Sequence, residues 1–246
     1  MMRGPTGRGR RRWILAALAL DLLGGGHSAW GQPAGTAPPT VETRAIPGRD
    51  VKQVNAQGII DAPPHVVRAV VADLERYPEF MPYVKESRIL SRDAPGEVVN
   101  YQRLSFGIPF VQDRHYVIRI TEQGYRDAGR GRAWAVRWRL EDGLPPGASA
   151  AAIRVSINSG HWDLRPAKDS ERSTDVRYCV LTDPAGSLPK WIVGMANTEG
   201  VPQIFAAVAA AAASPRYATQ PAPSAGGDLA ERPPIGDCGE PPPPAR

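Results

Sequence analysis

Two cysteines in 246 residues are too few for a disulfide framework or a four-cysteine zinc site. The four histidines are His27, His65, His115 and His161, and neither His-x-x-x-His nor Cys-x-x-Cys occurs. A metal site therefore has no basis in spacing, and no cofactor is expected. There is no Gly-x-Ser-x-Gly elbow and no phosphate-binding loop, which argues against a serine hydrolase and a nucleotide-triphosphate enzyme. No apolar run reaches the roughly 20 residues a spanning helix needs, so a multipass membrane protein is excluded. Excess charge is also missing where it would count. The formal charge is +5, but residues 1–31 carry Arg3, Arg8, Arg10, Arg11 and Arg12 against Asp21 alone. The remainder holds 25 basic and 24 acidic residues, which disfavours nucleic-acid binding.

The chain does have 42 % apolar residues, enough for a core. Its length suits one domain once the ends are set aside. Residues 1–31 read as a signal peptide: the arginines form the basic segment, Trp13–Leu23 the short apolar one, and Ala29-Trp30-Gly31 a cleavage site. Export to the periplasm or secretion is the expected localisation. Residues 32–49 contain four prolines and no apolar periodicity, and are expected to be a disordered linker. Residues 214–246 hold nine prolines and four glycines and are expected to be a disordered tail. Residues 50–213 remain as the folded unit.

Within that unit the order is strand, helix pair, six strands, long C-terminal helix. Val51–Asp61 reads as extended, and Pro63-Pro64 opens a helix whose apolar face is Val66, Val67, Val70, Val71 and Leu74. Tyr77-Pro78 is expected to end it. Strands are predicted over Val84–Ser91, Glu97–Phe106, Gln112–Glu122, Arg132–Glu141, Ala152–Pro166 and Thr174–Asp183, separated by glycine- and proline-bearing turns and, before the last, by the charged turn Lys168–Arg172. Ser187–Ala213 is helical in composition, with Pro202 expected to kink or break it. The pattern is α+β, a mostly antiparallel sheet with helices on one face.

Alternation sorts the faces of these strands. Trp134, Val136, Trp138 and Leu140 share one side; so do Val176, Tyr178 and Val180, and Arg114, Tyr116, Ile118 and Ile120. On Val98–Phe106 the row taken is Val99, Tyr101, Arg103 and Ser105. Parity breaks between Ile153, Val155, Ile157 and the later Trp162, Leu164, and a β-bulge at Asn158-Ser159-Gly160 would restore it. Rows mixing aromatics with sparse polar groups fit either a ligand cavity or an ordinary core rich in Trp and Tyr. Tyr101, Arg103, Tyr116, Trp134, Trp138, Trp162, Tyr178 and Met195 are the candidate ligand-binding residues. The arginines could hold an anionic head group or pair with Asp113, Glu97 or Asp175 across strands. No catalytic residue is assigned: His161 with Tyr178 could shuttle protons only if both faced inward, and parity sets His161 outward. Cys179 also alternates outward; in an oxidising compartment it could pair with Cys238, though the tail gives no preset geometry.

Several segments taken in order resemble one family. Ala62-Pro63-Pro64-His65-Val66-Val67 and Tyr77-Pro78-Glu79-Phe80-Met81-Pro82-Tyr83 resemble the opening of START-like helix-grip domains, the superfamily of lipid-transfer START domains and polyketide cyclases. Tyr101-Gln102-Arg103-Leu104 with Asp113–Val117, then Asn158–Leu164, Thr182–Pro189 and Gly200-Val201-Pro202, are similar to its later strands and last helix. The family more usually reads Arg-Asp where this chain has Arg114-His115, and Asp113 would then serve Arg114. The resemblance implies a curved antiparallel sheet wrapped around a long C-terminal helix with an apolar tunnel between them. It implies a lipid, sterol, quinone or polyketide ligand. The expected function is that of an exported, non-catalytic module that binds or transfers a lipid or other hydrophobic molecule, with transient membrane contact. The alternatives are a cyclase- or dehydratase-type enzyme on the same scaffold and a protein–protein adaptor.

Overall fold

The computed structural model describes residues 37–46, 51–186 and 199–222, with Leu229 and Cys238. All of them fall in one unit, Gln32–Arg246. Nine strands form one sheet among the described residues. They are β1 (Thr40–Ala45), β2 (Lys52–Ile60), β3 (Val84–Ala94), β4 (Glu97–Leu104), β5 (Arg114–Asp127), β6 (Gly131–Glu141), β7 (Ile153–Arg154), β8 (Ile157–Ala167) and β9 (Ser170–Asp183). The sheet order is β1-β2-β9-β8-β6-β5-β4-β3, antiparallel throughout, and short β7 runs parallel to the start of β5. Helices α1 (Pro64–Ala72), α2 (Tyr77–Phe80), α3 (Val201–Ala212) and α4 (Pro215–Ala218) complete it, with one 3₁₀ turn at Leu74–Arg76. This is the expected α+β class, a curved antiparallel sheet with a C-terminal helix.

The helices form where the sequence places prolines in first turns. Pro63 is the N-cap of α1 and Pro64 its first residue, a position where the missing N–H costs no bond. Val66, Val67, Val70 and Val71 are buried on one face. The helix leaves its axis at Asp73, earlier than expected, and Tyr77-Pro78 opens α2 instead of ending α1. Pro202 likewise lies in the first turn of α3, where its missing N–H costs no bond within that helix. Val201, Phe205, Val208, Ala209 and Ala212 are its buried residues. The first part of the expected helix, residues 187–198 including Met195, lies outside the described residues.

Three expectations need correction. Part of the supposed linker is strand β1, which pairs along β2 from Thr40–Gln57 to Ala45–Lys52. The supposed tail contributes α4, whose Tyr217 is buried and donates its hydroxyl to Asp73 at 2.8 Å. It also contributes Cys238, joined to Cys179 by a disulfide. Proline content lowered the prior for order, but a strand edge and an apolar anchor supplied contacts that composition does not report. Finally, no bulge lies at Asn158–Gly160. The β8–β9 ladder runs in register from Ile157–Asp183 to Pro166–Thr174, and parity changes where β7 ends and β8 begins. Register shifts instead occur along β3–β4, where they bend an edge strand. Gly160 stays in the regular ladder because the Trp138 indole lies across it; a Cβ there would strike that ring and the Cys179 carbonyl.

Candidate functional site

A cavity of about 1510 Å³ lies between the inner face of the sheet and the helices. Its walls come from β2 (Val54), α1 (Val71), β4 (Gln102, Leu104), β5 (Arg114, Tyr116, Ile118, Ile120), β6 (Val136, Trp138), β8 (Asn158, Trp162), β9 (Tyr178, Val180) and α3 (Val201, Ile204). Period-two alternation puts these side chains on one face. Along β5 the inward residues pass from Arg114 and Tyr116 to Ile118 and Ile120, so the cavity has a polar end and an apolar stretch.

The polar end is tightly hydrogen-bonded. Arg114 is 2 % exposed. Its Nε donates to the Pro184 carbonyl at 2.9 Å, its Nη2 to Ala185 at 3.2 Å, and its Nη1 to Gln112. No carboxylate pairs with it among the described residues, and burial lowers its pKa. Tyr116 donates its hydroxyl to Gln102 Oε1 at 2.8 Å, and Trp138 Nε1 donates to Asn158 Oδ1 at 2.9 Å. Burial raises the Tyr116 and Tyr178 hydroxyls well above their ordinary range, so both stay protonated. Tyr178 sits in an aromatic group, its ring centroid 4.5 Å from Trp162 and 5.8 Å from Trp138, with Phe205 5.8 Å from Trp162.

Of the candidate residues, Tyr116, Trp138, Trp162 and Tyr178 line the cavity. Trp134 faces inward and is buried, but it lies beyond the cavity, under the Arg132 guanidinium at 5.6 Å. Tyr101 and Arg103 lie on the opposite face of β4 and are corrected in placement. Gln102 pairs opposite Tyr116, and directly opposed residues share a face, so the even-numbered row of β4 is the inner one. Tyr101 packs outward with Val99 and Val117, its hydroxyl 3.4 Å from His115 Nδ1. Arg103 pairs with Asp113 at 2.5 Å and Glu86 at 3.3 Å, so Asp113 serves Arg103 and not Arg114.

Gln102, Asn158 and Ile118 were absent from the sequence-derived set. Cross-strand register would have found Gln102, but the connection from Ser105 to Asp113 is too long to fix register from the sequence. His161 faces outward, as parity implied, beside Arg137 and Asp163. Burial first, and Arg137 second, lower its pKa to about 4.

Comparisons with known proteins agree with this architecture. Bovine phosphatidylcholine transfer protein is 23 % identical over 147 residues, which are 59 % of this chain and 65 % of that protein's own length. A STAR-related lipid transfer protein of Xanthomonas axonopodis is 25 % identical in structural alignment, with a TM-score of 0.61, covering 73 % of this chain and 98 % of that one. Human StAR-related lipid transfer protein 5 shares the fold at 16 % identity with a TM-score of 0.62, covering 73 % and 86 %. Residues 60–209 match the family described as polyketide cyclase / dehydrase and lipid transport. With its bowed sheet, last helix and the space between them, the chain belongs to that family, as a START-like helix-grip domain.

Proposed function

We propose that this chain binds a lipid or another large hydrophobic molecule in its cavity and transfers it between membranes outside the cytoplasm. The observation that carries the reading is the space itself. About 1510 Å³ exceeds the ~300–1,000 Å³ of sites for drug-sized ligands, and its middle is walled by Ile118, Ile120, Val136 and Trp162. The names of the bovine and Xanthomonas relatives are consistent with it.

A cyclase- or dehydratase-type reaction needs a proton shuttle facing the ligand. His115 and His161 are on the outer face, and the carboxylates along the cavity wall are already engaged by Arg119, Arg68 or Ser156. Binding is therefore favoured over catalysis. Membrane contact is supported by the segment between β4 and β5. Phe110 is fully exposed at its tip, in the left-handed region at φ 66°, while Phe106 of the same segment lines the cavity. An aromatic ring presented beside an apolar space suits partition into a bilayer interface. Export is supported by the basic and apolar segments of residues 1–31 and by the Cys179–Cys238 disulfide, a linkage that persists in oxidising compartments.

Native mass spectrometry of the purified protein, followed by solvent extraction, tests the binding reading. We expect a bound hydrophobe; a solvent-filled interior in every preparation overturns it. Phe110→Asp is expected to slow transfer of a fluorescent lipid between vesicles while leaving binding intact. N-terminal sequencing of the extracytoplasmic protein is expected to begin at Gln32.

A further inference from the structure

An open sheet has two edges, and an edge strand turns the N–H and C=O of every second residue away from its neighbour. Among the described residues those edges are β1 and β3. The two differ in regularity. Along β3 the pairing with β4 shifts between Val84 and Glu86, between Ile89 and Ser91, and between Ser91 and Ala94. Such irregularities twist an edge away from further pairing. Strand β1 has none and runs beside β2 without a shift from Thr40–Gln57 to Ala45–Lys52. Thr40, Glu42, Thr43, Arg44 and Ala45 are exposed, and Val41 is half-buried. Pro38-Pro39 precede the strand and Pro47 follows it closely, so a ladder on this edge is confined to Thr40–Ile46.

Alternation divides β1 between the two sides of the sheet. Val41, Thr43 and Ala45 are on the inner side, where Val41 packs against the main core and Ala45 borders the cavity. Thr40, Glu42 and Arg44 are on the outer side. Directly opposed residues of an antiparallel pair share a face. A second copy added to this edge, with its hollow side turned the same way, must therefore set inner residues opposite inner and outer opposite outer. Around a two-fold axis, three registers keep most of the strand paired. Centred on Glu42, the two Glu42 carboxylates face each other; centred on Arg44, the two guanidiniums do. Like charges directly opposite are destabilising. Centred on Thr43, Glu42 of each strand lies opposite Arg44 of the other, with Val41 opposite Ala45 and Thr43 opposite itself.

We propose that β1 pairs antiparallel with β1 of a second copy of this chain, centred on Thr43, so that two sheets join edge to edge. The occupant is a second copy because Glu42-Thr43-Arg44 is complementary in charge to itself read in the opposite direction. The contact is isologous and closes on itself, leaving the irregular strand β3 as the outer edge of each copy. A ladder as short as Thr40–Ala45 buries less than the roughly 1,200–2,000 Å² of a stable interface, so the dimer is weak and depends on concentration.

Sedimentation velocity of the purified protein from about 1 µM to about 1 mM gives the dimerisation constant. Glu42→Arg and Arg44→Glu each turn both opposed pairs into like charges, and each is expected to weaken the dimer at least about tenfold. Mixing the two variants restores opposite charges in both pairs, so the mixture is expected to dimerise within about threefold of the unaltered protein. Both positions are exposed, so circular dichroism is expected to show unchanged folding. Thr43→Cys tests the register. Cys179 and Cys238 are bonded to each other, so oxidation of the new thiol is expected to give a covalent dimer through residue 43. A monomer at every concentration overturns the proposal. So does a dimer that ignores both charge changes, a pair of variants that mixing does not rescue, or a dimer that residue 43 fails to cross-link. None of these outcomes alters the ligand-binding reading.

Discussion

The two faces of β8 make opposite use of burial. Asn158, Trp162 and Leu164 point inward, and the first two border open space. His161, Asp163 and Arg165 point outward and are as well buried, yet their neighbours fill the volume. Asp163 accepts the Tyr125 hydroxyl and lies 3.4 Å from Arg165, which reaches Asp175 at 2.9 Å. Arg130 also reaches Asp175, at 3.3 Å. One strand thus separates a hollow interior, where Asn158 and Trp162 border open space, from a filled, ionic exterior layer. Burial alone does not mark a ligand site; what matters is whether buried groups have consumed one another.

That contrast can be broken most sharply from outside. Asp163 is wholly buried, so Asp163→Ala leaves Arg165 short of an anion and Tyr125 without its acceptor. We expect a loss of about 3–5 kcal/mol in denaturant unfolding with little change in the affinity of a cavity ligand. A large affinity loss without destabilisation would show that the faces are not separate. Next is the Cys179–Cys238 disulfide, which also sits on the outer face and closes a sequence separation of 59. Replacing both cysteines by serine is expected to cost roughly 4 kcal/mol by loop-closure entropy, again sparing ligand binding.

His161 sharpens the comparison through pH. Its pKa is lowered to about 4, so the folded protein keeps it neutral while the unfolded chain protonates it near its ordinary value of 6.5. Between those values the unfolded state binds more protons, and stability falls as pH falls. The loss should be on the order of 3 kcal/mol when complete near pH 4. His161→Gln should flatten that part of the stability–pH curve; an unchanged slope would remove His161 as its source. The smallest effect is expected inside. Ile118→Ala enlarges a space already open, so we expect about 1 kcal/mol, below the usual 2–5 kcal/mol for Ile→Ala in a filled core, with a measurable change in ligand affinity.

Much of the fold was legible because it depends on local rules. The valines of α1 repeat at helical spacing behind two prolines, and Trp134, Val136, Trp138 alternate as a half-buried strand must. Tyr116, Trp138, Trp162 and Tyr178 were found this way. Gln102 was missed and Tyr101 and Arg103 were placed on the wrong face because the face of β4 is set by pairing across a long connection. Strand β1 was missed because its partner β2 supplies the order that its own composition lacks. Direct pairing of Arg114 with Asp113 failed because adjacent strand residues point to opposite faces.

The sequence by itself determined the class of the fold, the order of its elements and the periodicity that keeps aromatic side chains on common faces, since each follows from spacing along the chain. Only the tertiary structure decided which face is hollow, which polar side chains line it, and that Cys179 meets Cys238. Those depend on how far a bent sheet stands from its helices and on which distant side chains meet, and neither distance is a property of neighbours in sequence.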